Sequence, residues 1–380
     1  MNLPLSGIVV ADFTRVLTGP YCTQTLGDLG ADIIKIEPPN GDDTRAWGAP
    51  WLENGEAREA TYFLSANRNK RSIALDLKKA ADLEIAQQIV DNADVLVENY
   101  RPKTLEKLGI QTDNPRLIVC GISGFGSSGT LKDWAGYDLI AQGMSGFMSY
   151  TGEPSGVPQK AGVAIADIFA GSLATQGILA ALYERERTGL GQRIEINLLE
   201  GMVALGTYQN SRYLNAGEDA ERLGNEHRSI VPYGTYKTSN GFVNIACGND
   251  SLYQKLCTAL NTSDLLEPKF MTNEQRLLHR LEVTQRLEAH LIRFSSEAAI
   301  ELLQNAGVPC GAVWSVGQVL ESDWAASREV VQFVEHPVLG EVRLTKSPFE
   351  FNGQSLPTTK APPRLDEHRT EILAWLKKQS

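Results

Sequence analysis

Cysteine and histidine are both scarce in this chain of 380 residues, with five of each. The cysteines are scattered and form no C-x-x-C pair, which argues against a disulfide framework and against a zinc knuckle. The histidines show no metal-ligand spacing and no Gly-x-Ser-x-Gly segment occurs, so metal-dependent and serine-dependent hydrolysis are disfavoured and no metal site is expected. Unpaired cysteines are typical of a reducing compartment. We therefore expect a cytoplasmic protein.

Long apolar runs and excess positive charge are also lacking. No stretch reaches the ~18 apolar residues that a membrane span requires, and Ile8–Ala11 is too short for the apolar part of a signal peptide. The formal net charge of −10 predicts no general attraction to nucleic acid or to an anionic membrane. We expect neither as a partner, so an anionic ligand has to be bound by local groups.

Apolar residues make up 42% of the chain and charged residues 22%. This composition is typical of a soluble globular protein and excludes a disordered or collagen-like chain. At about 100–200 residues per domain, the length predicts two or three domains.

Strand-like apolar runs alternate with helical patterns through the first half of the chain. The predicted strands are Ile8–Phe13, Ala31–Glu37, Ser72–Leu77, Val95–Glu98, Arg116–Ile122 and Arg193–Asn197, and the predicted helices are Pro20–Leu29, Lys79–Ala93, Ile168–Arg187 and Leu198–Leu214. Such alternation predicts an α/β fold built on a parallel sheet.

The pattern changes after about residue 215. A polar stretch is followed by a hairpin pattern at Tyr236–Ala246 and by further helical segments, before strand-like residues return at Pro337–Phe351. The second region therefore looks like an insertion. We predict a large domain over residues 1–215, a smaller domain over residues 225–330, and a return to the large domain over residues 331–380.

Three segments are candidates for ligand binding. Gly124–Gly129 matches the G-x-G-x-x-G pattern, but no helical pattern follows it, so a glycine-rich turn is favoured over a dinucleotide site. Basic islands at Asn67–Arg71 and Arg101–Lys103 adjoin predicted strand ends, where a phosphate can be met. Ordinary surface charge is the alternative for each basic residue.

Asp167 lies next to an apolar helical pattern and has two interpretations. Its carboxylate can cap the helix by accepting a bond from an early backbone N–H group. Alternatively, it stays ionised through the helix dipole and acts as a covalent nucleophile toward an activated acyl group. The residue types alone leave both interpretations open.

Six segments, taken in order, carry a wider similarity. They are Asp12–Pro20, Leu29–Pro39, Gly41–Arg45, Asn69–Ile73, Val97–Tyr100 and the segment around Asp167. Together they resemble the family III CoA-transferases, the relatives of formyl-CoA transferase, carnitine CoA-transferase and α-methylacyl-CoA racemase. The resemblance implies a Rossmann-like large domain built from both chain ends, a smaller α+β domain, and two ring-like protomers interlocked as a homodimer.

The same resemblance implies an activity and a site. Asp167 falls on the family's catalytic aspartate, which passes CoA between an acyl-CoA and a carboxylic acid through an aspartyl anhydride and an aspartyl-CoA thioester. The CoA thioester is a substrate, and no permanently bound cofactor is implied. The positions that line the CoA site fall on Thr18, Leu75, Lys78, Asn99, Tyr100, Arg101, Lys107 and Tyr137.

This chain departs from the family pattern at two places that distinguish members with different activities. The racemase branch has a histidine before an aspartate where this chain has Tyr137 and Asp138, so an acyl-CoA racemase or isomerase becomes the lesser alternative. Ile245–Asp250 stands where formyl-CoA transferase has a glycine-only loop, which argues against oxalate and formate as substrates. A non-catalytic acyl-CoA-binding homologue is the alternative from another class.

Residues 226–238 look closest to the members that exchange CoA between succinyl-CoA and dicarboxylates such as glutarate. His227 or Arg228 is a candidate for binding the distal carboxylate of the acceptor acid. A surface loop is the other interpretation of this segment.

Overall fold

The computed structural model describes residues 3–101 and 103–379, which form two compact units. The first unit comprises the chain up to Phe147, Lys160–Gly217 and the chain from Ala325 onward, and the second comprises Met148–Gln159 and Glu218–Trp324. The sequence-based division instead includes residues 148–159 in its first segment. This loop belongs to the second unit because the N–H group of Gly224 donates to the carbonyl oxygen of Gly152 at 2.9 Å.

The strands, in chain order, are β1 Val9–Phe13, β2 Asp32–Glu37, β3 Trp51–Asn54, β4 Ala57–Ala60, β5 Lys70–Ala74, β6 Val95–Glu98, β7 Ile118–Ser123, β8 Arg193–Asn197, β9 Tyr233–Lys237, β10 Phe242–Ala246, β11 Cys310–Ala312, β12 Val331–His336, β13 Gly340–Thr345, β14 Glu350–Phe351 and β15 Gln354–Ser355. The α-helices are α1 Thr18–Asp28, α2 Thr61–Ser65, α3 Ala80–Asp91, α4 Thr104–Leu108, α5 Asp138–Met144, α6 Ile165–Thr188, α7 Leu198–Leu205, α8 Thr207–Ala216, α9 Asp250–Ala259, α10 Asn273–Leu278, α11 Arg280–Leu291, α12 Ser296–Asn305, α13 Val316–Leu320, α14 Asp323–Ser327 and α15 Arg369–Gln379.

Within the described residues, the first unit contains a six-stranded parallel sheet in the order β5-β2-β1-β6-β7-β8. The chain winds outward from β1 to β2 and β5, and then continues on the other side of β1 with β6, β7 and β8. The strand order therefore reverses between β1 and β6. Ligands of open α/β sheets bind beyond the carboxyl ends of the strands at such a reversal. The predicted parallel α/β sheet is confirmed.

Helices cover both faces of this sheet. Alternate side chains of a strand point to opposite faces, so Val10 and Val95 lie in a core shared with α1, α6 and α7. Ala11 and Leu96 lie in a second core shared with α3 and α15. The C-terminal helix therefore packs on the sheet that the N-terminal half of the chain forms.

Helix α6 has 24 residues and, by length and composition, is apolar enough to cross a bilayer. The mean hydropathy of an 18-residue window, or segment, of this helix is 1.5. Ser172, Thr175 and Gln176 interrupt the helix, so it holds no run of 18 apolar residues and meets the hydropathy criterion only as an average. Half of that window is buried inside the protein, and Ala170, Ala174 and Ile178 are fully buried against the sheet. The apolar composition of α6 thus matches its position in the core.

The second unit has a three-stranded antiparallel sheet in the order β11-β10-β9. The hairpin predicted at Tyr236–Ala246 is present as β9 and β10. Val243 and Ile245 point to one face of the sheet and are buried with Leu256 of α9 and Leu287 of α11. This unit therefore has its own hydrophobic core.

Candidate active site

A cavity of about 490 Å³ opens in the first unit where the strand order reverses. It is lined by residues that follow β1 and β6, by the carboxyl end of β7 and the turn after it, and by Asp167 from the first turn of α6. A volume of this size is within the range of pockets that bind small molecules. The cavity thus lies at the carboxyl ends of β1 and β6, where the topology of the sheet predicts a ligand site.

Asp167 is the third residue of α6, because the helix begins at Ile165 and the residue before it, Ala164, is the N-cap. Its Oδ1 atom accepts a hydrogen bond of 2.5 Å from the hydroxyl of Thr18. The N–H group of Ala166 donates to Oδ1 of Asp138 at 2.9 Å. The capping interpretation of Asp167 is therefore wrong: Asp138 satisfies an early N–H group of α6, and the carboxylate of Asp167 faces the cavity.

The ionisation of Asp167 is set mainly by its surroundings. Burial raises its pKa to about 6, the hydrogen bond from Thr18 opposes this shift, and the negative charge of Asp138 adds to it. At neutral pH most of the carboxylate is still ionised, and it is more basic than that of an ordinary aspartate.

The loop after β1 brings Thr18 to Asp167 through an unusual backbone conformation. Val16 has a φ of 68°, a left-handed value that β-branched residues rarely adopt. Its N–H group donates to the carboxylate of Asp42 at 3.2 Å, and the side chain of Asn99 bonds both the N–H group and the carbonyl oxygen of Arg15, at 2.9 and 2.7 Å. These bonds hold the strained loop in place, as surrounding structure must at such a position.

A buried ionic network lies beneath this loop. The Nζ atom of Lys35 contacts Asp42 at 3.0 Å, and the Nζ atom of Lys70 contacts Asp12 at 3.3 Å, with all four side chains fully buried. Burial alone would raise the pKa of Asp12, but the charges of Lys70 and Lys35 lower it below its usual value. The network therefore keeps its carboxylates ionised and ties β1, β2 and β5 to the loop.

The basic island Asn67–Arg71 does not line this cavity, and its members are buried and paired within the chain. Arg68 contacts Asp28 at 2.5 Å, and the guanidinium of Arg71 pairs with Asp32. The second island differs. Arg101 is exposed and lines the cavity.

The cavity brings several of the residues implied by the family resemblance together with Asp167. They are Thr18, Asn99, Tyr100, Arg101 and Tyr137. The cavity lining does not include Leu75, Lys78 or Lys107. Leu75 is buried in the core of the sheet, and both lysines are exposed.

His227 and Arg228 lie in the second unit, and neither lines this cavity. Arg228 forms ion pairs with Glu221 at 3.1 Å and with Glu218 at 3.5 Å. The guanidinium of Arg280 donates to the carbonyl oxygens of His227 and Arg228, at 3.0 and 2.7 Å. The loop is thus held in shape by its own unit.

Residues that no sequence motif marks as ligand contacts also line the cavity. Arg15 and Lys132 add positive charge, and Trp134 adds an aromatic ring. A Cβ on Gly124 would lie 2.7 Å from the Cα of Gly136, so the glycine turn permits two backbone segments to cross at the cavity wall. The G-x-G-x-x-G pattern indicates a tight glycine turn, but it does not show that the turn forms part of the cavity wall.

A larger cavity of about 820 Å³ occurs in the second unit, against the exposed face of β9 and β10. The one charged residue in its described lining is Glu153. It therefore offers no cation for a phosphate or a carboxylate.

The chain matches the family model described as CoA-transferase family III over residues 5–369. The chain belongs to CoA-transferase family III. It is 39% identical to the succinate–glutarate CoA-transferase of Agrobacterium fabrum, covering 98% of this chain and 96% of that relative. It is 38% identical to the succinyl-CoA:glutarate CoA-transferase of Mus musculus, covering 97% of this chain and 86% of that relative.

A solved structure of a CaiB/BaiF family protein from Brucella suis has the same fold as this transferase, with a TM-score of 0.89 and 38% identity over 99% of this chain and 100% of that one. The predicted family is confirmed. So is the predicted activity: the protein is an enzyme that transfers CoA between an acyl-CoA and a carboxylic acid.

Proposed function

We propose that this transferase moves CoA from succinyl-CoA to a dicarboxylic acid such as glutarate, through a covalent intermediate on Asp167. The names of relatives at 35% to 39% identity support this substrate class. The observation that carries the mechanism is the Asp167 carboxylate, buried at the cavity and bound by one hydroxyl group. A buried, ionised carboxylate beside a ligand cavity is a suitable nucleophile for an acyl group.

The proposed reaction requires no external acid or base. An oxygen of Asp167 attacks the thioester carbon of the donor, the C–S bond breaks, and CoA leaves as a thiolate. The thiolate attacks Cγ of Asp167 in the resulting anhydride, which forms aspartyl-CoA and releases the donor acid as a carboxylate. The acceptor carboxylate then attacks Cγ of aspartyl-CoA, which releases the CoA thiolate and forms a second anhydride. The thiolate attacks the acceptor's acyl carbon in this anhydride, which forms the product thioester and restores the Asp167 carboxylate.

The phosphates of CoA would be met at the rim of the cavity. Arg15, Arg101 and Lys132 supply positive charge there, and charge-assisted bonds to phosphate are among the stronger polar contacts. Lys78 and Lys107 are further exposed cations for the same ligand. CoA is a substrate in this proposal, and no permanently bound cofactor takes part.

The proposed assembly is an interlocked homodimer in which the two units are the large and small domains. The Rossmann-like assignment of the first unit is supported by its strand order, which is 3-2-1-4-5-6 when the six sheet strands are counted along the chain. Exposed apolar side chains on three of its helices, among them Leu139, Val203 and Leu214, support a partner surface. The buried free thiols of Cys22 and Cys120 are consistent with the cytoplasm.

His227 and Arg228 remain our candidates for the distal carboxylate of the acceptor. Arg228 already pairs with Glu218 and Glu221, so an acceptor would have to share or replace those partners. Arg228→Ala should therefore raise the KM for a dicarboxylate more than that for a monocarboxylate of equal length.

The racemase alternative is not favoured by the site. A racemase requires an acid and a base at the acyl α-carbon, and Asp138 is already bound to Ala166 and to Gln142, at 2.9 and 2.6 Å. A non-catalytic binding homologue would not need a buried carboxylate of raised pKa at the cavity, so the position and pKa of Asp167 favour an enzyme.

A matrix of donors and acceptors tests the substrate class directly. Succinyl-CoA, acetyl-CoA and formyl-CoA are each combined with glutarate, succinate, oxalate and butyrate, and product thioesters are measured by mass spectrometry. The highest kcat/KM is expected for succinyl-CoA with glutarate. A preference for oxalate or for butyrate would overturn the substrate class while leaving the transferase activity intact.

A further inference from the structure

We infer that the hydroxyl group of Thr18 is a catalytic group of this transferase, and that it stabilises the oxyanion formed at Asp167 itself. The inference rests on the covalent route through Asp167 given above. It assigns Thr18 a role beyond lining the CoA site, which is what the family resemblance implied.

The two oxygens of Asp167 differ in their surroundings. Oδ1 accepts the hydrogen bond from the Thr18 hydroxyl at 2.5 Å. Over residues 3–101 and 103–379, no donor binds Oδ2. Oδ2 is therefore the oxygen that is available to attack a thioester, and Oδ1 is the oxygen that stays with Thr18.

This difference decides where charge develops. When Oδ2 attacks, it becomes the bridging oxygen of the anhydride, and Oδ1 becomes the carbonyl oxygen of the acylated aspartate. The CoA thiolate then attacks Cγ, and the electron pair of the C=O bond moves to Oδ1 until the bond from Cγ to the bridging oxygen breaks. The acceptor carboxylate later attacks the same carbon, which again places the charge on Oδ1 until the C–S bond breaks.

Thr18 is suited to this role because its donor already points at the atom that becomes the oxyanion. Such preorganised donors stabilise a transition state without reorganising during the reaction. Thr18 is 5% exposed and Asp167 is 8% exposed, so water competes little for Oδ1. In the first and last steps the charge develops on the substrate's own acyl oxygen, which Thr18 does not bind.

Two features of the backbone fix the hydroxyl in place. A Cβ at Gly171 would lie 2.6 Å from the carbonyl oxygen of Thr18, so only glycine allows α6 to approach the start of α1 this closely. The left-handed Val16, bound by Asp42, directs the loop into α1.

Formation of the CoA adduct in the absence of an acceptor acid isolates the relevant steps. The full-length enzyme is mixed with succinyl-CoA, quenched in acid at short times, and the protein carrying CoA is measured by intact mass. Thr18→Val keeps the shape of the side chain and removes the hydroxyl, whereas Thr18→Ser keeps the hydroxyl. We expect adduct formation to be about 10²–10³-fold slower in Thr18→Val and within about threefold of wild type in Thr18→Ser. Because Thr18 also lines the cavity, the Kd for CoA is expected to change, but far less than the rate does in Thr18→Val.

The outcomes separate this inference from the function on which it rests. An adduct that forms in Thr18→Val at the wild-type rate, or equally slow formation in Thr18→Ser, overturns the role of the hydroxyl but leaves the covalent route in place. The absence of any adduct in wild-type enzyme overturns the covalent route, and the inference with it. If Thr18→Val does not fold, Thr18→Ala provides the same comparison with Thr18→Ser.

Discussion

Two buried aspartates of the first unit, Asp12 and Asp167, are used in opposite ways. Asp12 contacts Lys70 and accepts bonds from two threonine hydroxyls, and its pKa is lowered. Among residues 3–101 and 103–379, Asp167 has one hydroxyl donor and no cation in contact, and its pKa is raised to about 6. Burial acts on both, so the difference comes from the partners. The first carboxylate is satisfied by its partners, and the second is left more basic, as the nucleophile that we propose requires.

Replacing the reactive carboxylate should give the largest effect on activity. Asp167→Asn keeps the size of the side chain and an oxygen that can accept the Thr18 hydrogen bond, but it removes the nucleophile. We expect kcat to fall by about 10⁴-fold or more in a protein with an unchanged circular dichroism spectrum. Asp138→Asn, which alters a neighbouring carboxylate outside the reaction, is the matched control. A similar loss in both variants would contradict the distinct role of Asp167.

Replacing the structural carboxylate should act on stability instead. Asp12→Asn leaves Lys70 buried without its charged partner, and breaking a buried pair in this way costs about 3–5 kcal/mol. We expect urea unfolding to show a free energy of unfolding lower by that amount, with kcat of the folded fraction reduced far less than in Asp167→Asn. A stable variant with strongly reduced kcat would show that Asp12 takes part in the reaction.

The same comparison predicts that losing the charge of Asp167 stabilises the protein. Raising the pKa of a carboxyl from 3.8 to about 6 means that ionising it in the folded state costs about 3 kcal/mol more than in the unfolded chain. The cost is absent below the unfolded pKa, grows as the pH rises from about 3.8 to about 6, and is constant at higher pH. Asp167→Asn should therefore be more stable than wild type by about 1–3 kcal/mol at pH 8. In urea unfolding this difference should shrink at pH 5, and a constant difference would contradict the raised pKa.

The rate of the reaction should follow the same ionisation. Protonated Asp167 is not a nucleophile, so the rate of adduct formation should fall about tenfold per pH unit below about pH 6 and level off above it. Because the hydrogen bond from Thr18 lowers this pKa, Thr18→Val should move the acid limb to higher pH. If the rate of adduct formation falls only near pH 4, Asp167 has the pKa of an ordinary, solvated aspartate, which would contradict the raised pKa.

The smallest effects are expected at the rim of the cavity. Single exposed contacts to phosphate are typically worth about 1 kcal/mol or less, so Arg101→Ala should raise the KM for succinyl-CoA by up to about fivefold. Lys107→Ala, which alters a cation outside the cavity lining, should change it less. A greater effect of Lys107→Ala would place the phosphates away from Arg101.

Much of this framework follows from the sequence, and the exceptions have physical causes. The apolar runs predict the central strands well, because strands buried on both faces are apolar throughout: β6 has the predicted bounds. The edge strand β8 also has the predicted bounds, although its residues alternate between apolar and polar. Strand β5 begins two residues before its prediction, since Lys70 and Arg71 look like solvent-exposed residues until their partners Asp12 and Asp32 are placed beside them.

The site was predictable in position but not in its contacts. The motifs around Asp12–Pro20 and Asp167 indicated the right loops. That Asp167 is bound by Thr18 rather than capping its helix depends on two residues 149 positions apart, and no local pattern contains this information. The desolvation that raises the pKa of Asp167 likewise exists only after the chain has folded.

We propose that Asp167 carries the acyl group and then CoA, and trapping these intermediates tests the proposal most directly. Wild-type enzyme and Asp167→Asn are each incubated with succinyl-CoA alone, treated with hydroxylamine, digested and analysed by peptide mass spectrometry. We expect the wild-type peptide containing Asp167 to become a hydroxamate, with parallel loss of activity, and the same peptide of Asp167→Asn to be unchanged. An active wild-type enzyme whose Asp167 peptide stays unmodified, or a hydroxamate on another carboxylate, would contradict it.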